Sequence, residues 1–113
     1  MSLLEDLGTS LDRLKIVFGV GEYPEKPPDT FVVLIPILDE FPVMGDGIPL
    51  DDLQHVRISI FCQGDYKPEA KRVTRVVTAA DMCVTGRGYA GFERDTGYHN
   101  YVIDVAKYYS MED

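Results

Sequence analysis

The residues of this chain that could carry chemistry are few: Cys62 and Cys83, His55 and His99, and three short glycine patterns. A disulfide would need the two cysteine Cα atoms within about 7 Å. The segment between them reads as a helix, and roughly 15 helical residues rise about 22 Å. No bridge is expected. Neither cysteine has a C-x-x-C partner or a zinc-ligand spacing, and each reads as a small, reduced core residue. Both histidines fall in strand patterns. His99 sits in a hairpin near Glu93, Asp95 and Asp104, any of which could orient it as a general base. No serine or cysteine stands out to be activated, so a surface histidine is the expectation. Two histidines also fall short of a metal site unless carboxylates join them.

Gly19-Val20-Gly21, Gly45-Asp46-Gly47 and Gly86-Arg87-Gly88 invite a nucleotide reading. A phosphate loop needs its glycines between a strand and a helix start, where helix-end amides meet the phosphates. None of the three leads into a helical pattern and no GK[ST] follows, so they read as turns and a strand kink. The acidic pairs Asp39-Glu40 and Asp51-Asp52 lack the alternating spacing and terminal glutamate of a calcium loop. They are expected to flank strands and keep sheet edges soluble. The sequence thus offers no catalytic residue, cofactor site or metal site, and the chain is expected not to be an enzyme.

The elements that would position these residues follow from periodicity. Leu3, Leu7, Leu11 and Leu14 recur at helical spacing over residues 2–14. A short strand at 15–18 and a proline- and glycine-rich loop at 19–29 come next. Residues 31–39 are β-branched and apolar on both faces, as in a well-covered strand. Pro36 within them requires an edge position or a bulge. A long connection, 40–50, leads to a half-buried strand at 55–62, in which Val56, Ile58, Ile60 and Cys62 alternate with polar or opposite-facing neighbours. A helix over 68–81 has Pro68 in its first turn and Asp65 and Glu69 near its positive end. Its apolar face is Ala70, Val73, Val77 and Ala80, widened by Val76. Strands at 84–94 and 98–109 are joined by Asp95-Thr96-Gly97, a hairpin turn with a left-handed glycine. The predicted order is α-β-β-β-α-β-β. It describes a single α+β domain over residues 1–113, with a mixed, mainly antiparallel sheet of four or five strands and both helices on one face.

The chain has 113 residues and a net charge of -8, with 45% hydrophobic residues. That composition is globular, and the charge repels nucleic-acid backbones, so direct sequence-specific nucleic-acid binding is not expected. Residues 1–14 carry Glu5, Asp6 and Asp12 instead of a basic, apolar leader. The apolar run 31–38 is too short to cross a bilayer. Folding in a cytoplasm is the expectation. Two surfaces stand out. Lys67, Lys71 and Arg75 form one stripe along the second helix, with Arg72 beside it, so four of the eleven basic residues lie on one short helix. Such a stripe is a solvated face or an electrostatic docking surface. The connection 40–50 holds Phe41, Pro42, Val43, Met44, Ile48, Pro49 and Leu50. Apolar residues gathered in a loop mark a partner site or fold back over an open end of the core; the sequence leaves both open.

The stretch Ile58-Ser59-Ile60-Phe61-Cys62-Gln63, then Gly64-Asp65-Tyr66 and the helix to Asp81, resembles the strand-to-helix centre of phage tail-terminator and head–tail joining (tail completion) proteins. The ending from Phe92 through Thr96, Gly97 and Tyr98 to Val105 is similar to their final hairpin. The resemblance is specific over residues 58–108 and covers most of the chain in element order. It implies a structural virion or prophage subunit without catalytic residues, forming a ring, typically a hexamer, on the last ring of the tail tube. Its partners would be copies of itself, the tail-tube protein and the head connector, and its place the virion neck after assembly in the host cytoplasm. The residues proposed for its interfaces are Phe41, Val43, Met44, Ile48, Leu50, Lys67, Lys71 and Arg75. The competing readings are an acidic DNA mimic or inhibitor, which would space carboxylates along one face, and a small ferredoxin-like ligand-binding domain, which would gather polar residues in a pocket.

Overall fold

The computed structural model describes residues 2–41, 44–45, 48–49 and 51–110. Helix α1 (Leu3–Arg13) opens the chain. Ser2 caps it by accepting the Glu5 amide at 3.2 Å, while Glu5 and Asp6 occupy the positive end. Strand β1 (Val17–Val20) and the long strand β2 (Thr30–Glu40) follow. A two-residue ladder, β3 (Met44–Gly45) with β4 (Ile48–Pro49), lies inside the predicted connection. Strand β5 (Asp51–Cys62), helix α2 (Lys67–Ala79), and strands β6 (Cys83–Glu93) and β7 (Tyr98–Ser110) complete the chain. The main sheet has the order β1-β2-β5-β7-β6. Only β1 and β2 run parallel, so the sheet is mixed and mainly antiparallel.

Both helices cover one face, as the periodicities require. Leu3, Leu7 and Leu11 of α1 and Ala70, Val73 and Val77 of α2 close over Val32, Leu34, Val56, Ile58, Ile60, Ile103 and Val105. The two helices end alike. Lys15 and Asp81 take left-handed φ values of 59° and 62°. The next residues, Ile16 and Met82, bond back to the Leu11 and Val77 carbonyls at 3.0 Å and bury their side chains. That is a Schellman stop with its apolar contact, built here without glycine.

Among the described residues the opposite face is covered at one end. Phe31 stacks on Phe61 at 4.9 Å, Tyr98 meets Phe31 edge-on, and Tyr23 lies against both phenylalanines. The Tyr98 hydroxyl donates to the Pro28 carbonyl at 2.6 Å, which pins the 19–29 loop over this cluster. Gly19-Val20-Gly21 enters that loop for backbone reasons. A Cβ on Gly19 would stand 2.4 Å from the Glu22 carbonyl oxygen, and Gly21 has φ +74°.

Two expectations about burial need correction. Residues 31–34 of β2 are buried, but 35–40 are exposed, so the strand is not covered along its length. Its ladder with β1 ends at Leu34, and the register against β5 shifts between Pro36 and Leu38. Pro36 therefore stands both on an open edge and at a bulge. Cys83 is exposed on the surface, not in the core; Cys62 is buried, and both thiols are free. Cys83 pairs with Ala106 across β6 and β7, on the face away from the helix layer.

Candidate functional site

Beyond Leu34, Val56 and Ala106 the sheet continues as an arm of three strands, β2, β5 and β7, in which Glu40 pairs with Leu53 and Leu53 with Tyr108. The strand 55–62 expected from alternation is four residues longer at its start, because Asp51 to Gln54 pair with β7 although their polarity hides the strand period. The molecule is accordingly elongated, 53 × 24 × 24 Å. Ile37, Leu38 and Phe41 are 50%, 51% and 54% exposed along this arm, and Ile35 and Tyr108 are exposed as well. Ile35, Ile37 and Leu38, exposed within a strand rather than in a loop, are the feature that sequence reasoning missed. The β-branched run itself was visible; the end of its cover was not.

The arm is fastened to the helices at its root. The Leu3 amide donates to Gln54 Oε1 at 2.8 Å, and Gln54 Nε2 donates to Asp52 Oδ2 at 2.8 Å. The Tyr109 hydroxyl donates to the Asp6 carboxylate, and Lys107 Nζ donates to the Ala80 carbonyl at 3.0 Å at the end of α2. Burial raises the Tyr109 pKa well above the usual phenol value, with the Asp6 hydrogen bond and charge adding to it. On the other face His55 meets Glu40 at 2.8 Å, and Arg57 grips Asp104 through two bonds of 2.8 and 3.1 Å. The arm is stiffened by these pairs and by its ladders.

Of the residues singled out in the long connection, Phe41 stands exposed where β2 ends, so it does not fold back over the core. Met44 and Ile48 lie in the β3–β4 ladder. Val43 and Leu50 lie outside the described residues. The basic stripe is where the spacing puts it: Lys67, Lys71 and Arg75 are exposed along α2, and none of them pairs with a carboxylate among the described residues. Arg72 does not belong to it. It bonds Glu69 at 3.0 Å and the Leu14 carbonyl at 2.9 Å, tying α2 to the end of α1.

A groove runs between α2 and the β6–β7 edge. Tyr66, Lys67, Ala70, Lys71, Arg87 and Tyr101 line a cavity of about 320 Å³, small for a ligand pocket. Tyr66 stacks on Tyr101 at 5.2 Å and on Tyr89 at 5.3 Å, so the groove has an aromatic wall. Arg87 reaches it because β6 shifts register between Val84 and Gly86, and the glycines beside Arg87 are part of that kink. Asp65 Oδ1 accepts the Lys67 amide at 3.1 Å and already occupies the first turn of α2.

His99 differs from its expectation. Its Nδ1 lies 2.9 Å from the Tyr89 hydroxyl and its ring packs on Phe92, rather than on Glu93, Asp95 or Asp104. The pleat explains this: His99 pairs with Phe92 on the helix side of the hairpin, while Glu93 and Asp104 point to the other side. Among the described residues no group of three or more His, Cys, Asp or Glu is placed to hold a metal ion. No described helix is long and apolar enough to cross a membrane. No family model matches this sequence, and no curated protein matches it.

Proposed function

We propose that this chain is a structural assembly subunit, a ring-forming phage tail terminator or head–tail joining protein that acts through its surfaces rather than through chemistry. The observation that carries this reading is the arm. It keeps β pairing on both sides of the shift at Ile37 and a fastened root while exposing Ile35, Ile37, Leu38, Phe41 and Tyr108. Exposed apolar side chains held on a paired, fastened element suit an interface, because little ordering entropy remains to be lost on docking. The α+β fold with both helices on one face agrees with the resemblance carried by residues 58–108. In that reading the copies would meet side by side, and the basic stripe would meet an acidic neighbour, the tail tube or the head connector.

The test is genetic and structural together. Ile37→Ser combined with Leu38→Ser should leave the purified protein folded, since both side chains are half exposed. The same variant should fail to complement a phage lacking this gene, leaving tails of abnormal length or tails without heads in electron micrographs. Full complementation would show the arm to be a bystander. Normal tails and normal attachment without the gene would remove the function.

A further inference from the structure

The groove and the arm tip carry matching chemistry at opposite ends of the sheet. Lys67, Lys71 and Arg87 rim the groove. None of the three has an ion-pair partner among the described residues, in a chain of net charge -8. Its wall and floor are apolar or aromatic: Tyr66, Ala70 and Tyr101. An occupant should therefore combine carboxylates with one apolar or aromatic side chain. The arm tip is such a segment. Asp39, Glu40 and Phe41 lie exposed in succession, and Asp51 and Asp52 stand on the neighbouring strand. Asp39 is unpaired among the described residues, and Glu40 has only the half-buried His55.

The two cannot meet within one chain. Tyr101, at the groove, and Tyr108, at the arm tip, are separated by roughly 23 Å of continuous strand, which the β5 ladder holds straight. Strand-edge pairing between copies is the weaker alternative, because Pro36 lacks an amide proton and the adjacent bulge twists the free edge of β2. A phosphate-bearing polymer is disfavoured by the excess of negative charge on the rest of the surface.

We propose that the arm tip of one copy docks in the groove of the next, Phe41 seated against Tyr66 and Tyr101, Asp39 and Glu40 facing Lys67, Lys71 and Arg87. The contact joins two different patches, so it is head-to-tail and repeats into a ring or filament. The proposal rests on the assembly reading above and names the surfaces that assembly would use.

Two full-length variants test it. Asp39→Lys with Phe41→Ser spoils the tip and leaves the groove; Lys71→Glu with Arg87→Glu spoils the groove and leaves the tip. Each variant alone would set like charges against each other, whereas a mixture forms one intact contact, its other junction being a charge-swapped one that lacks Phe41. Sedimentation should find the mixed pair at least about tenfold tighter than either variant with itself, weakening as salt rises. With the tip variant ¹⁵N-labelled, amide shifts should fall at Lys67, Ala70, Lys71 and Arg87. All four substituted side chains are exposed, and a retained far-UV spectrum confirms folding. Should a double variant misfold, Phe41→Ser and Lys71→Glu alone give the same comparison at lower contrast. Self-association of both variants equal to the wild type would overturn the groove contact while leaving assembly through another surface standing. Absence of groove shifts in the mixture would also overturn it. A tight mixed pair, with both variants complementing the phage, would uphold the contact and remove the assembly function instead.

Discussion

Residues 30–34 and 35–40 of β2 have similar apolar character, TFVVL against IPILDE up to the acidic end, yet they meet opposite fates. The first half lies between the leucines of α1 on one face and the Phe31–Phe61–Tyr98 cluster on the other. Among the described residues the second half has neither cover: Ile37, at the register shift, and Leu38, still paired with His55 of β5, are both exposed. Strand formation and burial are therefore separate events in this molecule. Pairing fixes the backbone, and the reach of α1, α2 and the 19–29 loop decides which apolar side chains are removed from water.

The contrast is sharpest when one aspartate is placed in the covered body and another on the arm. Ile60→Asp places an unpaired carboxylate in the fully buried layer beneath the helices. The expected loss is on the order of 4 kcal/mol or more, enough to abolish soluble expression. Leu38→Asp, on the arm, should lower the unfolding free energy read from denaturant titration by no more than about 0.5 kcal/mol. Comparable losses from both would show that the arm is packed after all.

The root of the arm should respond at an intermediate level. Tyr109→Phe removes the hydrogen bond to the Asp6 carboxylate, at a cost of roughly 1–2 kcal/mol. The Tyr109 phenol is raised above its ordinary value of 10.0 in the folded state, chiefly by burial. The folded protein therefore holds this proton more tightly than the unfolded chain does. Its contribution is complete below about pH 10 and is lost as pH rises further. Wild type should lose stability in alkali more steeply than Tyr109→Phe; parallel pH curves would show that Tyr109 does not couple the helices to the arm.

A small effect of opposite sign belongs to a site where body and arm do not differ, the helix stops. Lys15 holds a left-handed φ of 59°, a conformation that glycine adopts without steric cost. Lys15→Gly should raise stability by roughly 0.5–1 kcal/mol, read as a higher thermal midpoint. A lower midpoint would mean that the unfolded-state entropy of the new glycine outweighs the relieved strain.

The element order and the core were legible in the sequence because each is a local periodicity with a matching boundary signal. Leucines at helical spacing, the alternation around Ile58 and Ile60, Pro68 in a first helical turn and Gly97 in the hairpin turn each act over a few residues. The stripe Lys67, Lys71 and Arg75 was legible for the same reason. Three features were not. Asp51 to Gln54 extend β5 because β7 is there to pair with them. Cys83 is exposed because no layer among the described residues covers it on the face it joins. Arg87 and Tyr101 meet Lys71 at one groove only through the packing of α2 on the β6–β7 hairpin. The sequence by itself determined which segments become helix or strand and which faces are apolar, since those preferences reside in backbone sterics and residue spacing. The tertiary structure decided where cover ends, and so which apolar residues become an interface and which core, because burial depends on what other segments reach.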